Sequence, residues 1–311
     1  MPRTRIILWS VAVLLLIALP PFVIAIGQPF YLDVARRILI LAIAAVSLNL
    51  ILGYGGLVSF GHAAYLGIGA YSVGIMGFYG LTSGWLQWPV AIAASAMVAL
   101  AIGAVSIRTS GIYFIMITLA FTQMLYYLGI SLEEYGGDDG MRLKAKSQFS
   151  GLIDLRDPVA FYYLCLALML LAVFITYRIV NSRFGMVLRA SKSNDARTRA
   201  IGFSPYPYRL AAFVIAGAMC GLSGALYANH TNYITPGLMS WQQSGDIMFM
   251  VILGGMATTA GPVLGTFALL MVEELLKGWT QHWQVILGPL LILSVIFFRR
   301  GLAGIFYKPD A

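Results

Sequence analysis

The sequence predicts an all-α polytopic membrane protein of about ten transmembrane helices, some of them short or broken. Hydrophobic residues make up 60% of the 311 positions and charged residues only 10%, whereas soluble domains carry about 25% charged residues. Residues 38–107 form a run of 70 positions without Asp, Glu, Lys or Arg. One membrane helix needs roughly 20 apolar residues, so this run holds about three.

The uncharged runs place the helices along a single transmembrane domain, 1–311. The predicted spans are 6–26, 34–52, 57–80, 88–107, 111–132, 159–180, 206–228, 244–256, 261–278 and 282–298. The first has the basic start and apolar core of a signal peptide, but the many spans that follow favour an uncleaved helix. The eighth is too short to cross a core of about 30 Å untilted, so we expect it to be re-entrant or half-spanning.

Basic residues predict the orientation. With the N- and C-termini in the cytoplasm, 13 Lys or Arg and two acidic residues lie inside, while seven basic and ten acidic residues lie outside. This is the positive-inside asymmetry of membrane proteins. Residues 133–158 then form an outer, periplasmic loop and residues 181–205 an inner, cytoplasmic one. The net charge of +8 is explained by this topology. The lipid bilayer is therefore a predicted partner, and a nucleic acid is not.

The stretch SLNLILGYGGLVSFGHAAYLGIGAY (47–71) combines six glycines with polar neutral residues. Gly53, Gly55 and Gly56 predict a break between two spans, which membrane proteins tolerate only beside protein or a water-filled cavity. Asn49 and His62 flank this break and are expected to bond the freed backbone groups. Small residues recur every four positions from residue 55 to residue 67, which predicts a stripe for close helix packing.

Neutral polar and small residues within the apolar spans are candidates for a translocation path. They are Asn49, Tyr54, Gly55, Gly56, Ser59, His62, Thr118, Thr122 and Gln123. Each is also compatible with a helix–helix hydrogen bond. The last three lie on one side of a helix, and a neutral path suits a zwitterion or a small polar solute.

Two further patterns concern packing. The pairs Gly217 with Gly221 and Gly261 with Gly265 have the G-x-x-x-G spacing that permits close helix approach. Segments 51–67 and 252–265 are loosely alike, which is a weak indication of an internal repeat.

The inner loop is basic and amphipathic. Asn194 or Asp195 is expected to cap a second short helix, 196–201, that ends at Gly202. A helix lying on anionic lipid and a docking element for a cytoplasmic partner both agree with this pattern. The candidate contact residues of a docking element are Arg189, Ser191, Asn194, Asp195, Arg197 and Gly202.

The residues that enzymes and metal sites need are missing from the sequence. There is no G-x-x-x-x-G-K-[ST] motif for ATP, and the three histidines lack metal-ligand spacing. The two cysteines lie in apolar runs and imply no disulfide. For an ion-coupled transporter, Asp246 is the one candidate carboxylate, while Glu273 and Glu274 lie at an outer boundary. A solvated, interfacial position is favoured for all three. A structural or assembly subunit is a third class, and the inner loop argues against it.

Four motifs in order resemble one family. They are the 47–71 stretch, Gly136-Gly137-Asp138-Asp139-Gly140, the 183–228 segment, and ILGGMATTAGPVLGTFAL (252–269) followed by RRGLAG (299–304). The chain resembles branched-chain amino acid ABC permeases of the Liv type, M-type subunit.

The resemblance implies a bacterial inner-membrane importer for leucine, isoleucine and valine. It implies an H-type permease partner, two ATPase subunits that bind ATP and Mg, and a periplasmic substrate-binding protein. This chain would then hold no cofactor and catalyse no reaction itself, and residues 183–204 would be the ATPase-coupling segment. Arg197 and Thr198 stand where many members have two alanines. A permease of the same family for urea, amides or another small solute is the alternative.

Overall fold

Helices dominate the computed structural model, which describes residues 3–151, 154–297 and 301–306. The α-helices are α1 Arg3–Ile26, α2 Pro29–Asn49, α3 His62–Phe78, α4 Gly84–Ser106, α5 Ile112–Ser131, α6 Pro158–Val180, α7 Arg183–Ser193, α8 Asp195–Ala200, α9 Pro205–Thr231, α10 Trp241–Gly254, α11 Gly261–Trp279, α12 Trp283–Phe297 and α13 Ala303–Phe306. Two short strands, β1 Met141–Arg142 and β2 Tyr233–Ile234, pair antiparallel. The predicted all-α class is confirmed.

Five helices of the described chain are long and apolar enough to cross a membrane. They are Pro29–Tyr54, Gly84–Ser106, Ile112–Ser131, Pro158–Val180 and Pro205–Thr231. Two shorter apolar helices are Val13–Ile26 and Trp283–Leu293. The eighth predicted span corresponds to α10, which has 14 residues and is therefore about 21 Å long. The structure thus contains long spans together with short ones, as the sequence predicts.

Helix α2 lies at the centre of the bundle. Every residue from Ile38 to Asn49 is buried, and α6, α9, α10 and α11 pack around the helix. A helix enclosed in this way can carry polar side chains, because they meet protein groups in place of lipid.

Both predicted glycine pairs lie where helices pack closely. A Cβ on Gly217 or Gly221 would overlap Ala99 or Ser95 of α4, and one on Gly265 would overlap the Met250 carbonyl of α10. Small residues at these positions let the backbones approach, which is how helices gain packing energy within a bilayer.

The bundle has two distinct ends. The end that carries α7 and α8 is called here the α7–α8 end, and the end that carries β1 and β2 is called the sheet end. Helix α2 runs from the sheet end toward the α7–α8 end, where the π-helical turn that follows it, Leu50–Tyr54, meets α7. The predicted loops 133–158 and 181–205 therefore lie at opposite ends of the molecule.

The predicted helix 57–80 begins five residues too early. After α2 the chain forms a π-helical turn, Leu50–Tyr54, and regular helix resumes only at His62. Gly55 and Ser59 are therefore outside helix, and the expected stripe of small residues every four positions does not form. Gly67 still serves close packing, because a Cβ there would overlap the side chain of Met239.

Candidate translocation site

The chain between α2 and α3 is irregular from residue 50 to residue 61, and this segment is called here the first break. Its π-helical turn continues with backbone bonds from Gly55 to Leu50, from Gly56 to Leu52 and from Leu57 to Ile51, at 2.9–3.2 Å. Gly56 has a φ of +71°, a conformation that costs a glycine little and other residues more. Regular helix ends here because Gly56 adopts a backbone conformation that a residue with a side chain would resist.

Two threonines of α5 satisfy the backbone of the first break. The amide of Phe60 donates to Oγ1 of Thr118 at 3.3 Å. Oγ1 of Thr122 lies 2.9 Å from the Thr118 carbonyl oxygen of its own helix and 3.2 Å from the Phe60 carbonyl oxygen, so its one proton is shared between them. Both threonines are fully buried. The predicted set of polar residues on α5 therefore meets the predicted break. Gln123 is half-buried and, in the described chain, makes no hydrogen bond to it.

His62 begins α3 and faces α2. Its Nε2 lies 2.7 Å from Oγ of Ser47, and that hydroxyl also lies 2.7 Å from the Ala44 carbonyl oxygen. The Ser47 hydroxyl therefore joins Nε2 of His62 to the backbone of α2, and which of the two side chains donates depends on the tautomer of the ring. Nδ1 of His62 is buried without a partner among the described residues. His62 thus bonds a side chain of α2, not the freed backbone groups that the sequence suggested.

The start of α3 is fixed by α10. The Ala63 amide, one of the free donors of the first helical turn, donates to Oγ of Ser244 at 3.0 Å. Within the break, the Gly61 amide donates to Oγ of Ser59 at 3.1 Å. The first break and the start of α3 are therefore bonded together to α2, α5 and α10.

Asn49 joins the first break to a second one, residues 255–260 between α10 and α11. Its Nδ2 donates to the Thr258 carbonyl at 2.9 Å, and its Oδ1 accepts from the Ala257 amide at 3.0 Å. The sequence suggested that Asn49 bonds its own turn; the structure shows that it bonds the other. Both breaks separate helices, as the loose likeness of 51–67 and 252–265 indicates.

The 181–205 loop forms two helices with a cap between them. Oδ1 of Asn194 accepts from the Arg197 amide at 2.8 Å and caps α8, and Gly202 has a φ of +92° just beyond it. The predicted two-piece shape is confirmed. Asp195 lies 2.8 Å from Arg199 and 3.0 Å from Arg209 of α9. The capped pair of helices is therefore attached to the bundle by an ion pair.

The remaining docking candidates lie on the same two helices. Ser191 is buried and accepts, through its carbonyl oxygen, a hydrogen bond of 2.9 Å from Arg209. Arg189 is half-buried and Arg197 exposed. The charged groups of α7 and α8 are thus available at the surface of this end, while the apolar face, with Leu188 buried, packs against the bundle.

Sequence reasoning missed three residues of this region. Ser47 lies inside the glycine-rich stretch, two residues before Asn49 and therefore on a different side of α2, so only its polarity within an apolar helix could have suggested it. Ser244 lies in the first turn of the short α10, where no comparable signal marks it. Lys192 of α7 donates to the Gly53 carbonyl at 2.6 Å, across 139 positions of sequence that no local pattern connects.

The carboxylates considered for ion coupling lie toward the sheet end. Glu273 is paired with Arg37 at 3.1 Å and with Lys277 at 2.5 Å, and its side chain is 13% exposed. It is therefore more enclosed than the solvated position that the sequence favoured. Within the described residues, no group of three or more His, Cys, Asp or Glu side chains is arranged to hold a metal.

Long apolar helices that enclose a buried polar connection between two helix breaks are typical of multi-pass membrane proteins, and many transporters are built with such broken helices. The chain belongs to the family described as the permease component of branched-chain amino acid transport systems, which it matches over residues 30–295. It is accordingly related to transport permeases and not to enzymes.

Individual relatives agree with the family. The high-affinity branched-chain amino acid transport system permease protein LivM of Escherichia coli (strain K12) is 28% identical, over 95% of this chain and 74% of that protein. A probable LivM of Methanocaldococcus jannaschii is 25% identical, over 86% and 88%. The LivH permease of Escherichia coli (strain K12) is 24% identical, over 85% and 91%. No solved structure matches the chain.

Proposed function

We propose that this chain is the membrane-spanning permease subunit of an ATP-driven ABC importer for branched-chain amino acids. The observation that carries the proposal is the set of buried polar side chains in and beside the first break, Ser59, His62, Thr118 and Thr122, which are of neutral residue types. The Lys192 ammonium reaches the break from the α7–α8 end. A zwitterionic solute needs hydrogen-bonding groups without a fixed net charge, because one fixed charge would hold one end of the solute too firmly for release.

The partners follow from the two ends of the bundle. The α7–α8 end is basic, so it faces the cytoplasm by the positive-inside rule and receives one of two ATPase subunits, which bind ATP and Mg. A second permease, of the LivH kind, pairs with this chain in the membrane. A soluble binding protein delivers the amino acid at the sheet end, and the location is the bacterial inner membrane.

Reconstitution tests this proposal. The complete complex in proteoliposomes is expected to accumulate labelled leucine only with ATP at the α7–α8 side and binding protein at the other. Uptake driven by an ion gradient without ATP would refute it. Unlabelled isoleucine and valine should compete with leucine, and competition by urea or acetamide alone would assign the complex to another small solute.

Gene order provides an independent check. Genes for two ATPases, another permease and a binding protein are expected beside this one. An isolated gene would favour a secondary transporter.

A further inference from the structure

Lys192, in the last turn of α7, reaches across the α7–α8 end to the first break. Its Nζ donates to the Gly53 carbonyl oxygen at 2.6 Å. Gly53 lies in the π-helical turn, and the backbone amides beyond it bond to carbonyls that precede it. A carbonyl at the end of a helix needs a partner from elsewhere, and here the ammonium supplies one.

The break is shaped to receive the lysine stem. A Cβ on Gly56 would lie 2.7 Å from Cγ of Lys192 and 3.3 Å from Cδ, so any larger residue would displace the stem. Desolvation lowers the pKa of the Lys192 ammonium below its usual value. The ammonium is therefore drawn partly out of water to make this bond, although the Lys192 residue as a whole is exposed.

The helix that carries Lys192 is itself fixed to α8 and α9. Arg209 of α9 donates to the Ser191 carbonyl at 2.9 Å and pairs with Asp195 of α8 at 3.0 Å. Leu188, one turn before Lys192, is fully buried. A displacement of α7 and α8 by a bound partner would consequently act on Gly53 through Lys192.

We propose that Lys192 is a positioning residue for transport: it transmits the position of α7 to the first break, which Thr118 and Thr122 hold from the other side. The inference rests on the proposed function, since it assigns a partner-driven movement to α7. It adds a specific path, from α7 through the Lys192 ammonium and the Gly53 carbonyl to the segment beside α5.

The test compares variants of the complete reconstituted complex. Lys192→Met and Lys192→Gln keep a stem of similar length without the charged donor, and Lys192→Arg restores a charged donor. Lys144→Met is the matched control, because Lys144 also donates to a backbone carbonyl, that of Phe78 at 3.2 Å, but at the sheet end. The readout is ATP hydrolysed per leucine imported, normalised to assembled complex.

We expect Lys192→Met and Lys192→Gln to raise the ATP-to-leucine ratio by about tenfold, the equivalent of one charge-assisted hydrogen bond. Lys192→Arg should recover most of the wild-type ratio, and Lys144→Met should match wild type. Hydrogen exchange in residues 55–61 should rise in the first two variants alone.

The inference is overturned if an assembled Lys192→Met or Lys192→Gln complex keeps the wild-type ratio of ATP hydrolysed to leucine imported. It is also overturned if these substitutions lower only the amount of assembled complex and leave that ratio unchanged. A failure of the wild-type complex to import leucine with ATP would instead refute the proposed function, so the two failures can be told apart.

Discussion

Replacing Asn49 with alanine should destabilise the protein, because this side chain is the direct hydrogen-bonded connection between the two helix breaks. Asn49 is 1% exposed and makes two hydrogen bonds to the backbone of residues 257 and 258. Its removal leaves a donor and an acceptor without their partner.

The magnitude can be worked from the two bonds. An unsatisfied buried group costs about 1–3 kcal/mol. Thr258 is buried, whereas Ala257 is half-buried, so water can replace part of the second bond. We therefore expect a loss of about 2–4 kcal/mol in the free energy of unfolding for Asn49→Ala. Denaturant titration of the detergent-solubilised protein measures it, with Asn181→Ala as control, because Asn181 is exposed and bonds only the Tyr177 carbonyl of its own helix.

A double-mutant cycle makes the test specific to this geometry. A Cβ on Gly53 would overlap Oδ1 of Asn49 and lie 2.6 Å from the Ala257 amide nitrogen. Gly53→Ala should therefore cost less in the Asn49→Ala background than in wild type, with an interaction energy of about 1 kcal/mol or more. Additive effects of the two substitutions, or a loss below about 0.5 kcal/mol for Asn49→Ala, would refute the reasoning.

Three further predictions follow from the packing and the ion pairs. Gly265→Val should sharply reduce the yield of monodisperse protein in size-exclusion chromatography, because the valine side chain would overlap the Met250 carbonyl. Gly278→Val is the control and should not reduce the yield, because Gly278 has open space around it. Equal yields of the two variants would contradict this packing. Asp195→Asn should change stability by less than about 1 kcal/mol, since the carboxylate is partly exposed, yet lower leucine import per ATP; unchanged transport would remove Asp195 from the mechanism. Thr122→Val should slow import while Thr122→Ser retains it, because the hydroxyl, shared with the Thr118 carbonyl, is the group of Thr122 that reaches the Phe60 carbonyl. Equal rates in the two variants would exclude this hydroxyl from transport.

Much of the fold could be predicted because the bilayer restricts the chain strongly. Spanning segments must be helical and mostly uncharged, so the long uncharged runs located α2, α4, α5, α6 and α9. The cap at Asn194 and the stop at Gly202 were also predictable, because both depend on a few neighbouring residues.

The partners of the polar residues could not be predicted in the same way. Asn49 is 209 positions from Thr258, and Lys192 is 139 positions from Gly53. Such pairs depend on how helices pack, which one sequence does not specify. The start of α3 was placed too early for a related reason: residues 57–61 are apolar enough for a helix, but they belong to the first break, where the backbone of Phe60 bonds Thr118 of α5.

The bond between Asn49 and Thr258 has a consequence for the order of assembly. Helix α2 is made early, while the turn that receives its amide follows 209 residues later. At roughly 5–20 residues per second, this separation leaves the amide without that partner for on the order of ten seconds or more. The central helix therefore enters the membrane long before its surroundings exist, and the nascent chain must shelter a polar end until α10 and α11 have been inserted.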